Sequence, residues 1–135
     1  MLTIDLESTL PLTDQIVRGL RRSIAERQLA VGDELPTVRQ LAADLGVNFN
    51  TVARAYRSLE ASGLVRSMRG RGSWVVAMQE SEPGRAIRST RSALGAALAD
   101  ARLSGLTRPE VEDLLAAELE VLWRLDAAPA KGFSP

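Results

Sequence analysis

The stretch from residue 37 to residue 76 decides the fold, and it reads TVRQLAADLGVNFNTVARAYRSLEASGLVRSMRGRGSWVV. Its first half predicts two short helices joined by a turn that contains Gly46, a pattern typical of a helix-turn-helix. Its second half predicts a β-hairpin centred on the sequence Arg-Gly-Arg-Gly at 69–72, which is a basic, glycine-rich wing. A helix that can enter the major groove, with a cationic loop beside it, indicates a protein that reads duplex DNA.

The helix-turn-helix is expected over about 37–62, and its apolar spacing shows which side of each helix faces inward. Thr37 begins the first helix of this motif, which is the second helix of the chain, and Gln40 completes a capping box there. Asn48 is a suitable N-cap for the second helix of the motif, which is the third helix of the chain. In the second helix the apolar side chains at positions 52, 55, 56 and 59 form one stripe. The opposite face, which would read the groove, is expected to carry Asn50, Arg54 and Arg57.

The segment before this motif predicts a strand, a helix and a turn. Residues 1–6 alternate apolar and polar side chains, which favours a short edge strand. A first helix is expected to open at Leu10-Pro11 and to run to about Gln28. Glycine and proline predict a turn over residues 31–36.

The segment after the second helix predicts the wing and the end of the domain. Runs with β propensity at 64–68 and 73–77 are expected to form a two-stranded hairpin. Trp74 is expected to pack back onto the helices rather than to stand exposed at the wing. The fold expected is therefore mainly α with a small β-hairpin, a winged helix-turn-helix domain over residues 8–78 with its wing at about 64–77.

A composition break at residues 79–85 marks a linker, and a different kind of region follows it. Two helices are expected within residues 86–125, at about 86–103 and 109–125, separated by residues 104–106, and Thr107 with Glu110 forms a capping box at the start of the second. Residues 126–135 are expected to be a flexible tail.

These two helices carry more apolar surface than two helices can bury between themselves. A second copy of the chain is the most economical partner, which predicts a homodimer. The alternative is that the helices fold back onto the first domain of a monomer. The side chains expected in the dimer interface are Ile87, Leu94, Leu98, Val111, Leu114, Leu115, Leu119 and Leu122.

Composition argues against an enzyme and against a membrane protein. The chain has no cysteine and no histidine, which excludes thiolate chemistry and removes the commonest general base and the commonest metal ligand, and its single lysine, Lys131, lies in the expected tail. We expect no cofactor and no metal. No apolar run approaches the roughly 20 residues that a membrane-spanning helix needs, and a cytoplasmic location is expected. The net charge is zero, but residues 36–78 hold six arginines against Asp44 and Glu60, a local balance of +4.

Taken together, these residues resemble the GntR family of bacterial transcription regulators. The short region after the wing is similar to that of the YtrA-like subfamily, in which two helices form a dimerisation element and whose members commonly repress operons encoding ABC transporters. The motif is also similar to the N-terminal part of MocR-type regulators, whose aminotransferase-like domain is absent here. The segments that carry the resemblance are 11–16, 32–42, 46–56, 59–65 and 69–75.

The resemblance also implies roles for single residues. Arg39 stands where the family places a DNA-contacting arginine, although it could instead pair with Asp44 on the surface. Phe49 stands where many members carry arginine, and it would either touch a thymine methyl group or pack beside the turn. Gly70 matches the wing tip, where the backbone can approach the minor groove. The residues expected to contact DNA are Thr37, Arg39, Asn48, Phe49, Asn50, Thr51, Arg54, Arg57, Arg69, Gly70 and Arg71.

The leading hypothesis is a homodimeric repressor that binds a palindromic operator of double-stranded DNA through the third helix and the wing. For Arg54 and Arg57, contacts to base edges and contacts to the backbone are both open. The alternative hypothesis is a winged-helix module that binds protein or RNA without operator specificity. The sequence identifies neither a small-molecule effector nor the operator.

Overall fold

The computed structural model of the chain describes residues 2–76 and 82–124, which form five helices and one two-stranded antiparallel sheet. The chain divides into two compact units, Met1–Gln79 and Glu80–Pro135. This architecture confirms the predicted fold class of a winged helix-turn-helix followed by two helices. The elements are α1 (Leu12–Ala25), α2 (Val38–Leu45), α3 (Phe49–Ala61), β1 (Val65–Met68), β2 (Gly72–Val75), α4 (Arg85–Leu103) and α5 (Arg108–Leu122).

The core of the first unit is built from the apolar stripes of its helices and from the inner side of the wing. The predicted stripe of α3 is confirmed, because Val52, Ala55, Tyr56 and Leu59 are each at most 4% exposed. Burial of aliphatic side chains from several segments is the main favourable term for a domain of this size. The other buried side chains are Ile16, Leu20, Leu35, Leu41, Ala42, Leu64, Val65 and Val75.

Local hydrogen bonds set the ends of α2 and the start of α3, as the sequence predicts. The side chain of Thr37 accepts a hydrogen bond from the backbone N–H of Gln40, and the backbone N–H of Thr37 donates one to Oε1 of Gln40, so the capping box is present. Gly46 ends α2 with φ of 70°, a left-handed conformation that glycine adopts without steric penalty. Asn48 then caps α3. The turn between the helices is thus determined by three neighbouring positions.

The prediction of an edge strand over residues 1–6 is wrong, since residues 2–5 form no strand. The side chain of Gln15 takes the place of a neighbouring strand: its Nε2 donates to the Asp5 carbonyl and its Oε1 accepts from the Asp5 N–H. Leu2 and Ile4 nevertheless pack against the core, and Gly19 of α1 allows Leu2 to approach, because a Cβ at that position would overlap the leucine Cδ1. The alternation of apolar and polar residues thus reflects the packing of Leu2 and Ile4 against the core and not a strand in a sheet.

Helix α1 is shorter than predicted at both ends. It begins at Leu12 and ends at Ala25, whereas the prediction ran from Leu10-Pro11 to about Gln28. Arg27 has a positive φ of 65°, which no right-handed helix accommodates. The helix therefore ends before this residue.

The wing is hydrogen-bonded on both sides of β2, which the sequence did not predict. β1 and β2 pair from Val65↔Val75 to Met68↔Gly72, as expected for the hairpin. Residues 32–35, predicted as a turn, run along the other edge of β2, where the Gly32 N–H donates to the Val75 carbonyl at 2.8 Å and the Leu35 N–H donates to the Ser73 carbonyl at 2.8 Å. Trp74, partly buried, is flanked by Arg66 and Glu34. Residue 77, part of the predicted second strand, lies outside the described residues.

The second unit contains the two predicted helices. The capping box of Thr107 and Glu110 is confirmed, and hydrogen bonds from Thr107 lower the pKa of Glu110, the backbone N–H contributing most. Gly105, with φ of 93°, allows the turn between the helices. The predicted end at residue 125 and the predicted tail at 126–135 lie outside the described residues.

Candidate nucleic-acid interface

Helix α3 has one buried face and one exposed polar face. Asn50, Arg54 and Arg57 are all exposed, and we call these three residues the reading face. Their spacing brings them to one side of the helix, opposite the buried Val52 and Leu59, each 0% exposed. The side chains of the reading face are long or polar, so they can donate hydrogen bonds to base edges and phosphates.

Two contacts from other elements hold α3 in place. The hydroxyl of Tyr56 donates a hydrogen bond of 2.6 Å to the carbonyl of Pro36, directly before α2. The hydroxyl of Thr13 in α1 donates to the carbonyl of Thr51 at 3.3 Å. Burial raises the pKa of Tyr56 to about 12, so its phenol remains protonated and keeps donating at neutral pH. A helix held from two directions presents the reading face in a defined orientation.

The predicted contact residues at the starts of α2 and α3 also serve as helix caps. The oxygen of the Asn48 side chain accepts from the Asn50 N–H at 2.7 Å, and the Thr37 hydroxyl oxygen accepts from Gln40 at 3.0 Å. Both residues are exposed, whereas Thr51 is only partly exposed. The amide nitrogen of Asn48 and the hydroxyl proton of Thr37 are the groups left to face a partner.

Arg39 and Phe49 lie together, although they belong to different helices. The Cζ atom of Arg39 lies over the Phe49 ring, 5.9 Å from its centroid. Phe49 is 49% exposed, so about half of its surface is open to a partner, and both of its expected roles, a thymine methyl contact and packing beside the turn, stay predictions. Within the described ranges Arg39 forms no ion pair with Asp44, the alternative considered for that arginine.

The wing tip, formed by Arg69, Gly70 and Arg71, is fully on the surface. Gly70 has φ of 77° and nothing surrounds the position of a Cβ, so glycine is required there by the backbone conformation and not by crowding. The N–H of Arg71 donates to the carbonyl of Met68 at 2.9 Å and closes the loop. Two arginines are thereby presented on either side of a residue without a side chain.

The base of the wing is connected to α3. In this region sequence reasoning missed two residues, Arg66 and Glu34. Glu60 of α3 accepts a hydrogen bond of 3.4 Å from the N–H of Ser67 in β1. Arg66 is exposed on β1, and its strand position was a signal that could have added it to the expected contacts. Glu34 pairs with Trp74 and lies so close to Gly72 that a Cβ there would stand 2.6 Å from the carboxylate. No sequence signal indicated this contact, because it depends on the pairing of residues 32–35 with β2.

A second surface lies on α4 and α5, where no residue is buried. Six of the eight side chains predicted for the dimer interface are exposed, Ile87 to 65% and Leu114 and Leu119 to 56% each. Val111 and Leu122 are partly buried. A groove of about 570 Å³ between the two helices is lined by Leu98, Arg102, Leu106, Arg108, Val111, Glu112 and Leu115.

Across the two described ranges, none of the helices combines the length and the apolar character needed to cross a membrane.

Comparison with known proteins places the first unit in a defined group. Residues 12–75 match the family described as bacterial regulatory proteins, gntR family. The transcriptional repressor YtrA of Bacillus subtilis is 37% identical over 75 residues, which are 56% of this chain and 58% of that protein. The chain thus matches less than two thirds of the length of that relative.

Solved structures extend the likeness beyond the wing. YtrA from Sulfolobus acidocaldarius, a GntR-family transcription factor, is 38% identical with a TM-score of 0.57, covering 73% of this chain and 97% of that one. A protein of Listeria monocytogenes described as a transcriptional antiterminator is 27% identical with a TM-score of 0.77, covering 90% of this chain and 92% of that one. These relatives are regulators of transcription and not enzymes.

Proposed function

The chain belongs to the GntR family of bacterial regulatory proteins, and from that premise we propose that it is a homodimeric repressor which binds an inverted-repeat operator. One observation carries the proposal: Asn50, Arg54 and Arg57 are exposed together on the face of α3 that lies opposite its buried stripe. Asparagine and arginine are the side chains that make bidentate hydrogen bonds to adenine and guanine in the major groove. The place of action is the cytoplasm, where a bacterial operator lies.

The DNA contacts proposed for each element follow from the chemistry of its side chains. The reading face supplies base contacts, together with Arg39 of α2, which lies over the first residue of α3. Arg69 and Arg71 supply phosphate contacts or reach the minor groove, since Gly70 between them lets the backbone approach DNA. Thr37, Asn48 and Thr51 orient the domain on the backbone through hydroxyl and amide groups. The local balance of +4 over residues 36–78 favours this partner even though the whole chain is neutral.

Dimerisation is proposed through residues 86–125, after a linker at 79–85. α4 and α5 expose several large apolar side chains, and grouped exposed apolar side chains are typical of an interaction surface. A twofold axis through this region would bring two winged helices to two half-sites, separated by about one helical turn or a multiple of it. The domain from 8 to 78 would then be the reading module.

The part of the proposal that makes the protein a repressor is inferred from a relative. YtrA of Bacillus subtilis is named a transcriptional repressor, and the resemblance to its subfamily favours repression of an operon that encodes an ABC transporter. Sequencing the DNA fragments that the protein retains from its own genome identifies the regulated operon. Recovery of promoters unrelated to transport would separate the DNA-binding proposal from the transporter proposal.

A second candidate function is RNA binding, which one observation favours: the Listeria neighbour is described as an antiterminator. The deep, narrow major groove of an RNA duplex does not admit a helix such as α3, so this candidate would have to use single-stranded RNA and the arginine side chains alone.

The test is a selection followed by a titration. Duplexes that the full-length protein retains from a random library are sequenced, and the enriched site is titrated against a scrambled duplex and against single-stranded RNA at several salt concentrations. We expect an enriched inverted repeat, bound about 10³-fold or more tightly than the scrambled duplex. Equal affinity for all duplexes, or preference for RNA, would contradict the proposal. Where an arginine of the reading face is replaced by alanine in this titration, Arg18→Ala, at an exposed position of α1, is the matched control for loss of one charge.

A further inference from the structure

The contact between Arg39 and Phe49 joins the two helices of the motif at the surface, where no core packing requires it. Arg39 is the second residue of α2 and Phe49 the first residue of α3. Both side chains are exposed, yet the guanidinium carbon lies 5.9 Å from the centre of the ring. This distance is within the range of a cation–π interaction, in which the negative face of the ring attracts the cation.

The contact restricts a side chain that would otherwise be mobile. An exposed arginine samples many rotamers, and fixing it for a bidentate hydrogen bond has an entropic penalty at the moment of binding. A ring beneath the guanidinium lowers that penalty, because the side chain is already confined before DNA arrives. The ring uses none of the five N–H donors. Within residues 2–76 and 82–124, no ion pair or hydrogen bond occupies them either.

Phe49 is suited to this task because of its place on α3. As the first helical residue it follows the cap Asn48, whose side chain bonds the Asn50 N–H at 2.7 Å, so the backbone that carries the ring is held. The ring therefore lies beside the reading face, at the end of α3 where base contacts begin. A thymine methyl contact by the same ring would compete with the arginine for its exposed surface.

We infer that Phe49 is a positioning residue that holds the Arg39 guanidinium for one base pair of each half-site, and that it contributes to specificity through Arg39 and not by its own DNA contact. The inference rests on the proposed function, since it requires an operator. The base expected at that position is guanine, the usual partner of a pre-oriented arginine.

The test is a double-mutant cycle on the selected operator, with every single-base variant of one half-site. Arg39→Ala identifies the base pair at which discrimination is lost. Phe49→Leu keeps an apolar side chain but removes the ring. We expect it to weaken binding about two- to five-fold, the range of an exposed cation–π contact, and to reduce discrimination at that same base pair only. In the Arg39→Ala background, Phe49→Leu is expected to cause no further loss.

The rescue variant is Phe49→Tyr, which restores a ring and with it the discrimination at the Arg39 base pair. A merely structural role predicts a lower unfolding temperature for Phe49→Leu and a uniform loss at all bases. Additive losses in the cycle, or lost discrimination at a thymine in both arginine backgrounds, would overturn the inference and assign the ring its own DNA contact. If the wild-type protein selects no operator at all, the proposed function fails; if it selects one and Phe49→Leu binds as wild type does, this inference alone fails.

Discussion

The two units of the chain differ in what they bury and in what they expose. The first unit closes a core around Ile16, Val52 and Leu59, each 0% exposed, and leaves arginines on its surface. The second unit buries no residue of α4 or α5 and exposes leucines, Leu114 to 56%. A unit with a closed core can fold by itself, whereas an open apolar helix pair depends on a partner for its stability. The first unit thus has a closed core with a charged surface, and the second has an open apolar surface.

The charges of the two units support the same contrast. Residues 1–79 hold ten basic and eight acidic side chains, a balance of +2 that is concentrated in residues 36–78 (+4), while residues 80–135 hold seven basic and nine acidic side chains, a balance of −2. The excess positive charge, which favours contact with phosphates, thus lies in the first unit. Four experiments test this contrast, in order of decreasing expected effect.

Leu115→Asp combined with Leu122→Asp should abolish assembly while leaving the first unit folded, because an unpaired charge in an apolar interface is unfavourable. Binding to the full palindrome should fall by about 10²–10⁴, since the second half-site contact loses its high effective concentration. Sedimentation gives the oligomeric state and titration gives the affinity.

The matched control is Leu103→Asp, an apolar residue of α4 that is 86% exposed and outside the predicted interface. It should remain a dimer. A wild-type chain that is monomeric at micromolar concentration would break the comparison between the units.

Arg54→Ala should weaken operator binding by about 1–3 kcal/mol if the residue reads a base, and relax the preference at one base position. A residue that contacts only phosphate should instead weaken binding to all duplexes alike. The unfolding temperature should not change, because Arg54 is exposed. Arg18→Ala is the control. Equal effects of the two substitutions on operator binding would contradict the proposal that the reading face contacts DNA.

Arg69→Ala with Arg71→Ala should flatten the dependence of log K on log salt by up to about 2 units, if each arginine neutralises a phosphate. Arg18→Ala with Arg21→Ala removes the same charge from the exposed side of α1 and should leave the slope almost unchanged. Titrations of one operator at several salt concentrations measure both pairs. Identical slopes in the wing variant and the wild type would mean that the wing tip does not touch the DNA backbone.

Tyr56→Phe should lower the free energy of unfolding by about 1 kcal/mol at neutral pH, through loss of the hydrogen bond to Pro36. Burial raises the Tyr56 pKa from 10.0 to about 12, so the buried phenol binds its proton more tightly in the folded state. This contribution is complete below pH 10 and is lost as the pH rises from 10 through 12. Denaturant titrations should therefore show a fall in stability between these values that is absent in Tyr56→Phe. A variant with the wild-type pH dependence would show that another group titrates.

Local rules predicted much of the helical structure of both units from sequence alone. Both capping boxes, the left-handed Gly46 and the buried stripe of α3 depend on residues within a few positions of one another, and all are present. Exposure of the reading face followed from the same periodicity. The roles of these residues toward DNA stay predictions, since exposure shows where a side chain is and not what it binds.

The elements that sequence missed depend on partners distant in the chain. Residues 1–6 alternate like a strand, but Gln15 satisfies the backbone of Asp5 and no sheet forms. Residues 32–35 look like a turn, yet β2 supplies hydrogen-bond partners about forty positions later, at Ser73 and Val75. Arg27, an ordinary helix former, ends α1 with a positive φ.

The sequence by itself determined the helices, their inward faces and the positive charge around the wing, because periodicity, caps and composition are local properties of the chain. Only the tertiary structure decided that Arg39 lies over Phe49 and that the wing is hydrogen-bonded on both sides of β2. Neither contact has a signal in sequence spacing, since the first depends on how two successive helices are oriented and the second joins segments about forty positions apart in the chain.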